Sequence, residues 1–317
     1  MGFGDTIALL FALVVLGYAI AWTGMLREGA GEALGDFVIT IAIPVLLFRT
    51  LAEADFAGAE PGALWAVYFT SIAVTWTAAA LAVRRVFGRD VRAGVVGGLA
   101  GSFSNLVLLG IPLVLAVFGE DGFEVLSLLL AVHLPVMMAT SVILYERAER
   151  LDGVATGALD ARAVLSRFLR NMARNPIVIG ILAGLAWRLV PVGLPGLATE
   201  LIDRLAGLAG TLALISLGMS LHRFGLAKNL PQGALVASLK VALMPAVATL
   251  GALLVGLPPQ VAHVVIVCAA MPAGVNPYLI ANRLGTGEAL ASNTMVVATA
   301  ASPLTLLFWL WLARTLF

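Results

Sequence analysis

The sequence predicts an all-α membrane protein, and three observations carry that expectation. Of 317 residues, 61% are hydrophobic and 12% are charged. Mean hydropathy is +1.03, a balance typical of helical membrane proteins and foreign to soluble domains of this size. Apolar windows of about 20 residues recur along the chain. Two of these windows are interrupted by polar and helix-disrupting residues. One reads Ser102-Phe103-Ser104-Asn105 followed by Gly110-Ile111-Pro112; the other reads Met271-Pro272-Ala273-Gly274-Val275-Asn276-Pro277-Tyr278.

In chain order, spans are expected near 5–23, 34–51, 62–84, 92–117, 124–145, 176–190, 200–220, 233–256, 260–282 and 289–312. The first has no Lys or Arg ahead of it, unlike a secretory signal, so it is expected to remain in the mature protein. The sixth is short. Fourteen of the 19 basic residues lie in connections after odd-numbered spans, among them Arg84, Arg85, Arg89 and Arg92, and Arg147, Arg150, Arg162, Arg167, Arg170 and Arg174. Connections after even-numbered spans hold Glu53, Asp55 and Glu60, and Glu120, Asp121 and Glu124. The excess of basic residues on one side places both termini outside and the segment 147–175 in the cytoplasm. A net charge of +1 gives no sign of nucleic-acid binding. The single cysteine, Cys268, excludes an intramolecular disulfide and reads as packing.

The halves show faint self-similarity. Gly62-Ala63-Leu64 opens the third span and Gly233-Ala234-Leu235 the eighth. Gly119 and Gly285 close the two broken spans, and Pro135 and Pro303 recur in the fifth and tenth. Two five-span halves follow, 1–146 and 176–317, joined by the linker 147–175. Five is odd, so the second half inserts upside down, and inverted repeats place their site near the midplane between halves.

A backbone break at membrane depth is tolerated only inside protein or beside a water-filled cavity. Pro112 lacks an N–H and clashes with the preceding turn, so the fourth helix is expected to open just before it. Ser102, Ser104 and Asn105 are the nearest polar groups to satisfy the freed carbonyls. In the ninth span Pro272 and Pro277 bracket Gly274, which can take dihedrals other residues avoid, and Asn276, which precedes a proline. A helix that restarts after such a break exposes free amides and partial positive charge, a place for an anion. Two such starts would suit a carboxylate, with Asn105 and Asn276 adding directional hydrogen bonds. The competing reading is a proline kink with asparagine satisfying local backbone.

Ser104-Asn105-Leu106-Val107-Leu108-Leu109-Gly110-Ile111-Pro112-Leu113 resembles the fourth-span signature of the auxin efflux carrier family, which includes plant PIN carriers and bacterial malate or malonate carriers. Met271-Pro272-Ala273-Gly274-Val275-Asn276-Pro277-Tyr278-Leu279-Ile280-Ala281 resembles the ninth-span signature. Asn175-Pro176 opening the sixth span and Leu217-Gly218-Met219-Ser220-Leu221 closing the seventh also fit. The resemblance implies ten helices in two inverted repeats, with broken helices four and nine crossing, as in sodium–bile acid symporters and some sodium–proton antiporters. It implies a scaffold from spans 1, 2, 6 and 7 and a mobile transport domain from spans 3–5 and 8–10. It further implies small organic anions as substrates, an elevator-type motion, a homodimer in the inner membrane and no cofactor. The site candidates are Ser104, Asn105, Pro112, Pro272, Gly274, Asn276, Pro277, Tyr278 and His133. The short central loop departs from the plant carriers and argues against auxin itself.

All 18 acidic residues fall in loops or at span ends, Asp36 and Asp203 being nearest to a span interior. Carboxylate-driven sodium–proton exchange is therefore disfavoured. His133, midway along the fifth span, could carry a proton or meet an anion; its alternative is a neutral histidine bonded to backbone. Lys240 could attract an anion from the cytoplasmic side, but it is expected to snorkel to the interface. Thr40, Ser216 and Asn293 are expected to bond within their own helices. No Walker loop, Ser–His pair, paired Asp or H-E-x-x-H site is present, which leaves a metal-free secondary transporter first, a sodium- or proton-coupled symporter of another substrate class second and a non-transporting sensor third.

Overall fold

The computed structural model describes residues 2–53, 61–154, 161–190, 193–226 and 228–317. Asp55, Glu60 and residues 155–160 of the linker lie outside them. The described residues form α1 (Phe3–Thr23), α2 (Ala30–Glu53), α3 (Pro61–Arg85), α4 (Val91–Ser102), α5 (Leu106–Leu151), α6 (Ala161–Ala173), α7 (Pro176–Trp187), α8 (Gly196–Phe224), α9 (Leu230–Val255), α10 (Pro259–Ala270), α11 (Asn276–Leu284) and α12 (Glu288–Leu316). Among the described residues there is no strand, only one isolated bridge.

Seven helices, α1, α2, α3, α5, α8, α9 and α12, are long and apolar enough to cross a membrane. The apolar helices α7 and α10 have 12 residues each, about 18 Å at the usual rise, short of a hydrocarbon core about 30 Å thick. The expected windows fall mainly on helix, and the fourth and ninth are the two that split.

Proline explains the irregular turns. π-helical turns occupy Val38–Ala42, Leu106–Gly110 and Leu239–Leu243. Each ends two residues before a proline, Pro44, Pro112 and Pro245. A proline cannot donate to the helix ladder and its ring presses on the turn before it; a π turn shifts the register so that the helix continues. In α9 the shift leaves the Val241 carbonyl to the Trp309 indole, whose Nε1 donates to it at 2.8 Å. The long α5 changes direction at Gly119, where φ 68° and ψ −159° describe a backbone essentially only glycine adopts.

The chain divides into two compact units. The first comprises the described residues within Met1–Ala59, Leu106–His133 and Leu169–Arg223. Its helices approach by way of small residues: Gly17 lies against Ile215 backbone, Gly218 against Val14 and Tyr18, and Gly180 against Pro44. Lipid offers helices little hydrophobic reason to associate, so close backbone contact supplies the packing energy. Arg49 at the end of α2 bonds Glu120 at 2.7 Å, just past the Gly119 bend, and Asp203 of α8 at 3.2 Å.

The second unit comprises the described residues within Glu60–Asn105, Leu134–Phe168 and Phe224–Phe317. Its core joins Ala79 and Val83 of α3, Val96 and Ala100 of α4, Val236 of α9, Ala281 of α11 and Leu290 of α12. The start of α4 is doubly held. Asp90 accepts from the Ala93 amide at 2.9 Å, and Asp152 accepts from the Val91 and Arg92 amides at 3.0 Å each. Burial alone would raise the Asp152 carboxyl, but these amides and the Arg92 guanidinium outweigh it and hold its pKa below the usual carboxylate range.

Candidate functional site

Two helices of the second unit stop short inside it. α4 ends at Ser102, and Phe103 follows in extended conformation at φ −83°, ψ 96°. α10 ends at Ala270, and Met271 is extended at φ −56°, ψ 141°. The two extended stretches run antiparallel and meet at Ser104 and Ala273. The Asn105 amide donates to the Pro272 carbonyl at 2.8 Å. Pro272 has no N–H to return to Asn105, so that position lacks the reciprocal bond of a regular antiparallel pair. Sequence reasoning placed the first break just before Pro112. It lies at 103–105 instead, because the π turn Leu106–Gly110 absorbs the proline.

The meeting point is closed and polar. Ser104 and Asn105 are buried. The Ser104 hydroxyl lies 3.9 Å from Met244 Sδ and shares a hydrogen bond with the Tyr68 hydroxyl. Gly274 does not adopt a positive φ, contrary to the conformational role expected of it. Asn105 packs over its backbone: a Cβ there would touch both Cβ and Cγ of Asn105, at 3.4 Å. α11 then restarts at Asn276 with Pro277 in its first turn, where a missing N–H does no harm.

Not every expected site residue gathers there. Ser104, Asn105, Pro272 and Gly274 touch, and Asn276 and Pro277 follow directly in the chain. Tyr278 turns to the Phe224 ring, with centroids 4.4 Å apart, and packs on the apolar core of its unit. Pro112 and His133 are buried and belong to the other compact unit. Among the described residues no His, Cys, Asp and Glu cluster could hold a metal ion.

Two further polar residues lie buried in the same body. Lys240 does not snorkel. It is fully buried, and its ammonium donates to the Ala269 carbonyl at 2.7 Å. That carbonyl belongs to the last turn of α10, where the break removes its usual amide partner and the helix dipole is negative. The lysine amine therefore caps α10 within the body that carries both breaks. The signal was available, because a lysine at span depth is a functional candidate by default. Tyr68, also fully buried, stood in an unremarkable apolar run and gave no signal. Ser216 and Asn293 were expected to bond locally but reach other elements, Ser216 to the Gly31 carbonyl at 3.2 Å and Asn293 to the Lys228 carbonyl at 3.2 Å.

Comparison with known proteins adds an independent line. A family model described as "Membrane transport protein" matches residues 4–310. The chain is similar to the "Putative malonate transporter" of Rhizobium meliloti, 26% identical over 96% of this chain and 94% of that protein. It is similar to an "Uncharacterized transporter" of Methanothermobacter thermautotrophicus, 27% identical over 98% of each. It also matches "Auxin efflux carrier component 3a" of Oryza sativa, 30% identical over 48% of this chain and 26% of the plant protein.

Proposed function

Since this chain belongs to the membrane transport protein family, which includes the auxin efflux carriers, we propose that it is a secondary transporter of small organic anions, carboxylates foremost. It is a multi-pass membrane transporter and not an enzyme. The observation that carries the substrate class is the pairing of two interrupted helices at Ser104 and Ala273 in a body that also encloses the Lys240 ammonium. Helix starts favour negative charge, and an anion bound near Lys240 would hold its amine protonated. Asn105 and Asn276 add neutral, directional donors that distinguish a carboxylate from a halide. The Rhizobium relative, whose name refers to malonate, supports the same class.

In this reading the ten spans form two inverted halves, with Pro272, Gly274, Asn276 and Pro277 of one half facing Ser104 and Asn105 of the other. Spans 1, 2, 6 and 7 serve as scaffold, and spans 3–5 and 8–10 carry the substrate by an elevator motion. The grouping of α1, α2, α7 and α8 in one compact unit and of α3, α4 and α9–α12 in the other supports that division. The segment Leu106–His133 clusters with the scaffold helices, where Arg49 grips Glu120. The protein works as a homodimer in the inner membrane, with its termini outside and the linker 147–175 in the cytoplasm.

A thermal-shift screen of the purified protein against mono- and dicarboxylates, with and without sodium and across pH, tests the class. A ligand that binds the folded state raises its melting temperature by mass action. Stabilisation by at least one carboxylate, absent with its neutral amide analogue, is the expected result. Indifference to every carboxylate would overturn the reading, and a shift that requires sodium would favour the symporter alternative.

A further inference from the structure

We propose that α6, Ala161–Ala173, is a surface helix that binds anionic phospholipid headgroups. It has its own composition. From Ala161 to Asn175 there are four arginines, Arg162, Arg167, Arg170 and Arg174, and no Asp or Glu. At about 100° per residue, Val164, Leu165, Phe168, Leu169 and Met172 fall on one arc of the helix. Arg162, Ser166, Arg167, Arg170 and Asn171 fall on the opposite arc. That separation is the mark of a helix lying in a membrane interface. The described side chains agree: Arg162, Ser166 and Arg170 are exposed, and so is the apolar Leu169, at 56%.

Position in the chain selects lipid as the occupant. The apolar helix α7 starts at Pro176, three residues past the end of α6. Asn175 caps that start, accepting from the Ile177 amide at 2.9 Å. α6 is therefore tethered at the level where the chain enters the bilayer. Its apolar arc can dip between headgroups while its arginines meet phosphates. Four arginines in a segment without Asp or Glu complement an anionic leaflet, not a zwitterionic one. The compact units divide between Phe168 and Leu169, so this helix is also one of the covalent joints between them.

The inference rests on the cytoplasmic placement proposed for 147–175, and its test does not use transport. The full-length protein carries an environment-sensitive probe at Leu169→Cys; the native Cys268 is fully buried and does not compete for label. It is placed in nanodiscs of brominated phosphatidylcholine with or without phosphatidylglycerol. Quenching in anionic discs is expected, with loss in neutral discs, in high salt and in the Arg162→Gln/Arg167→Gln/Arg170→Gln/Arg174→Gln variant. Each arginine removed should lower the ratio of docked to free helix about fivefold. No quenching in any disc would overturn the proposal. So would equal quenching whatever the lipid charge or arginine count, and so would a shielded but unquenched probe, which would mean protein covers the apolar arc. Carboxylate binding by the same discs is a separate readout, so its loss with quenching intact would strike the transport reading alone.

Discussion

The two helix breaks have the same outline and different chemistry. Both helices close their last turn with the next amide, Phe103 to the Leu99 carbonyl at 2.9 Å and Met271 to the Val267 carbonyl at 3.1 Å, and at the first the Ser102 hydroxyl also bonds the Gly98 carbonyl at 2.8 Å. Neutral hydroxyls surround it, Ser104 and Tyr68. At the second, the end of α10 is capped from outside by the Lys240 ammonium, and the chain restarts through Pro277. The difference teaches that the two breaks do not present matched helix ends. One break is lined by hydroxyls and the other by a lysine amine. A strictly symmetric reading would miss the lysine, whose bond to a bound carboxylate would be roughly twice as strong as a neutral one.

That asymmetry can be broken from the second break first. Lys240→Met keeps the volume and removes the charge. It leaves the Ala269 carbonyl without its cap, so the unliganded protein should still melt cooperatively, with about 1–3 kcal/mol less stability. Affinity for a carboxylate should fall about 100-fold, within the range of a lost charged hydrogen bond. An unchanged affinity in a calorimetric titration would remove Lys240 from the account. Gly274→Val tests the contact between the breaks. Its Cβ would already touch Asn105 at 3.4 Å, so the two methyls beyond it overpack the contact, and a cost of about 1–3 kcal/mol should lower both melting temperature and carboxylate affinity.

Tyr68→Phe sharpens the comparison from the first side. It removes only the hydroxyl that meets Ser104, so a fivefold loss of affinity is expected, from about 1 kcal/mol. A loss as large as that of Lys240→Met would mean the breaks are equivalent after all. The smallest effect is expected at the start of α4. Asp152→Asn should lower stability by about 1 kcal/mol or less, as for a helix-cap residue. The native Asp152 pKa is depressed, so its contribution is full above about pH 4 and fades as pH falls through the lower native value. In denaturation across acid pH, wild type and Asp152→Asn should therefore converge below about pH 4.

Much of this was legible in the sequence because membranes impose simple rules. Helix is forced wherever lipid must be crossed, and prolines, asparagines and glycines at depth mark the exceptions. Asn105, Pro272, Gly274 and Asn276 were all singled out that way, and they lie at or beside the two breaks. What escaped detection depends on which helix lies beside which. Lys240 looked free to reach water until α10 placed an orphaned carbonyl beside it. Gly274 was expected to turn the chain, but Asn105 packs over its backbone. Pro112 was expected to break its helix, yet a π turn of apolar residues absorbed it and moved the break to Phe103. Ser216 and Asn293 looked like local helix bonds because their partners, Gly31 and Lys228, lie far away in sequence.

The most direct measurement is calorimetric titration of the wild type, Asn105→Ala and Asn276→Ala with the carboxylate that gives the largest thermal shift. The account predicts that each substitution weakens binding at least about tenfold, as for a hydrogen bond to a charged group, while the unliganded melting temperature stays put. Wild-type affinity in both variants would contradict it.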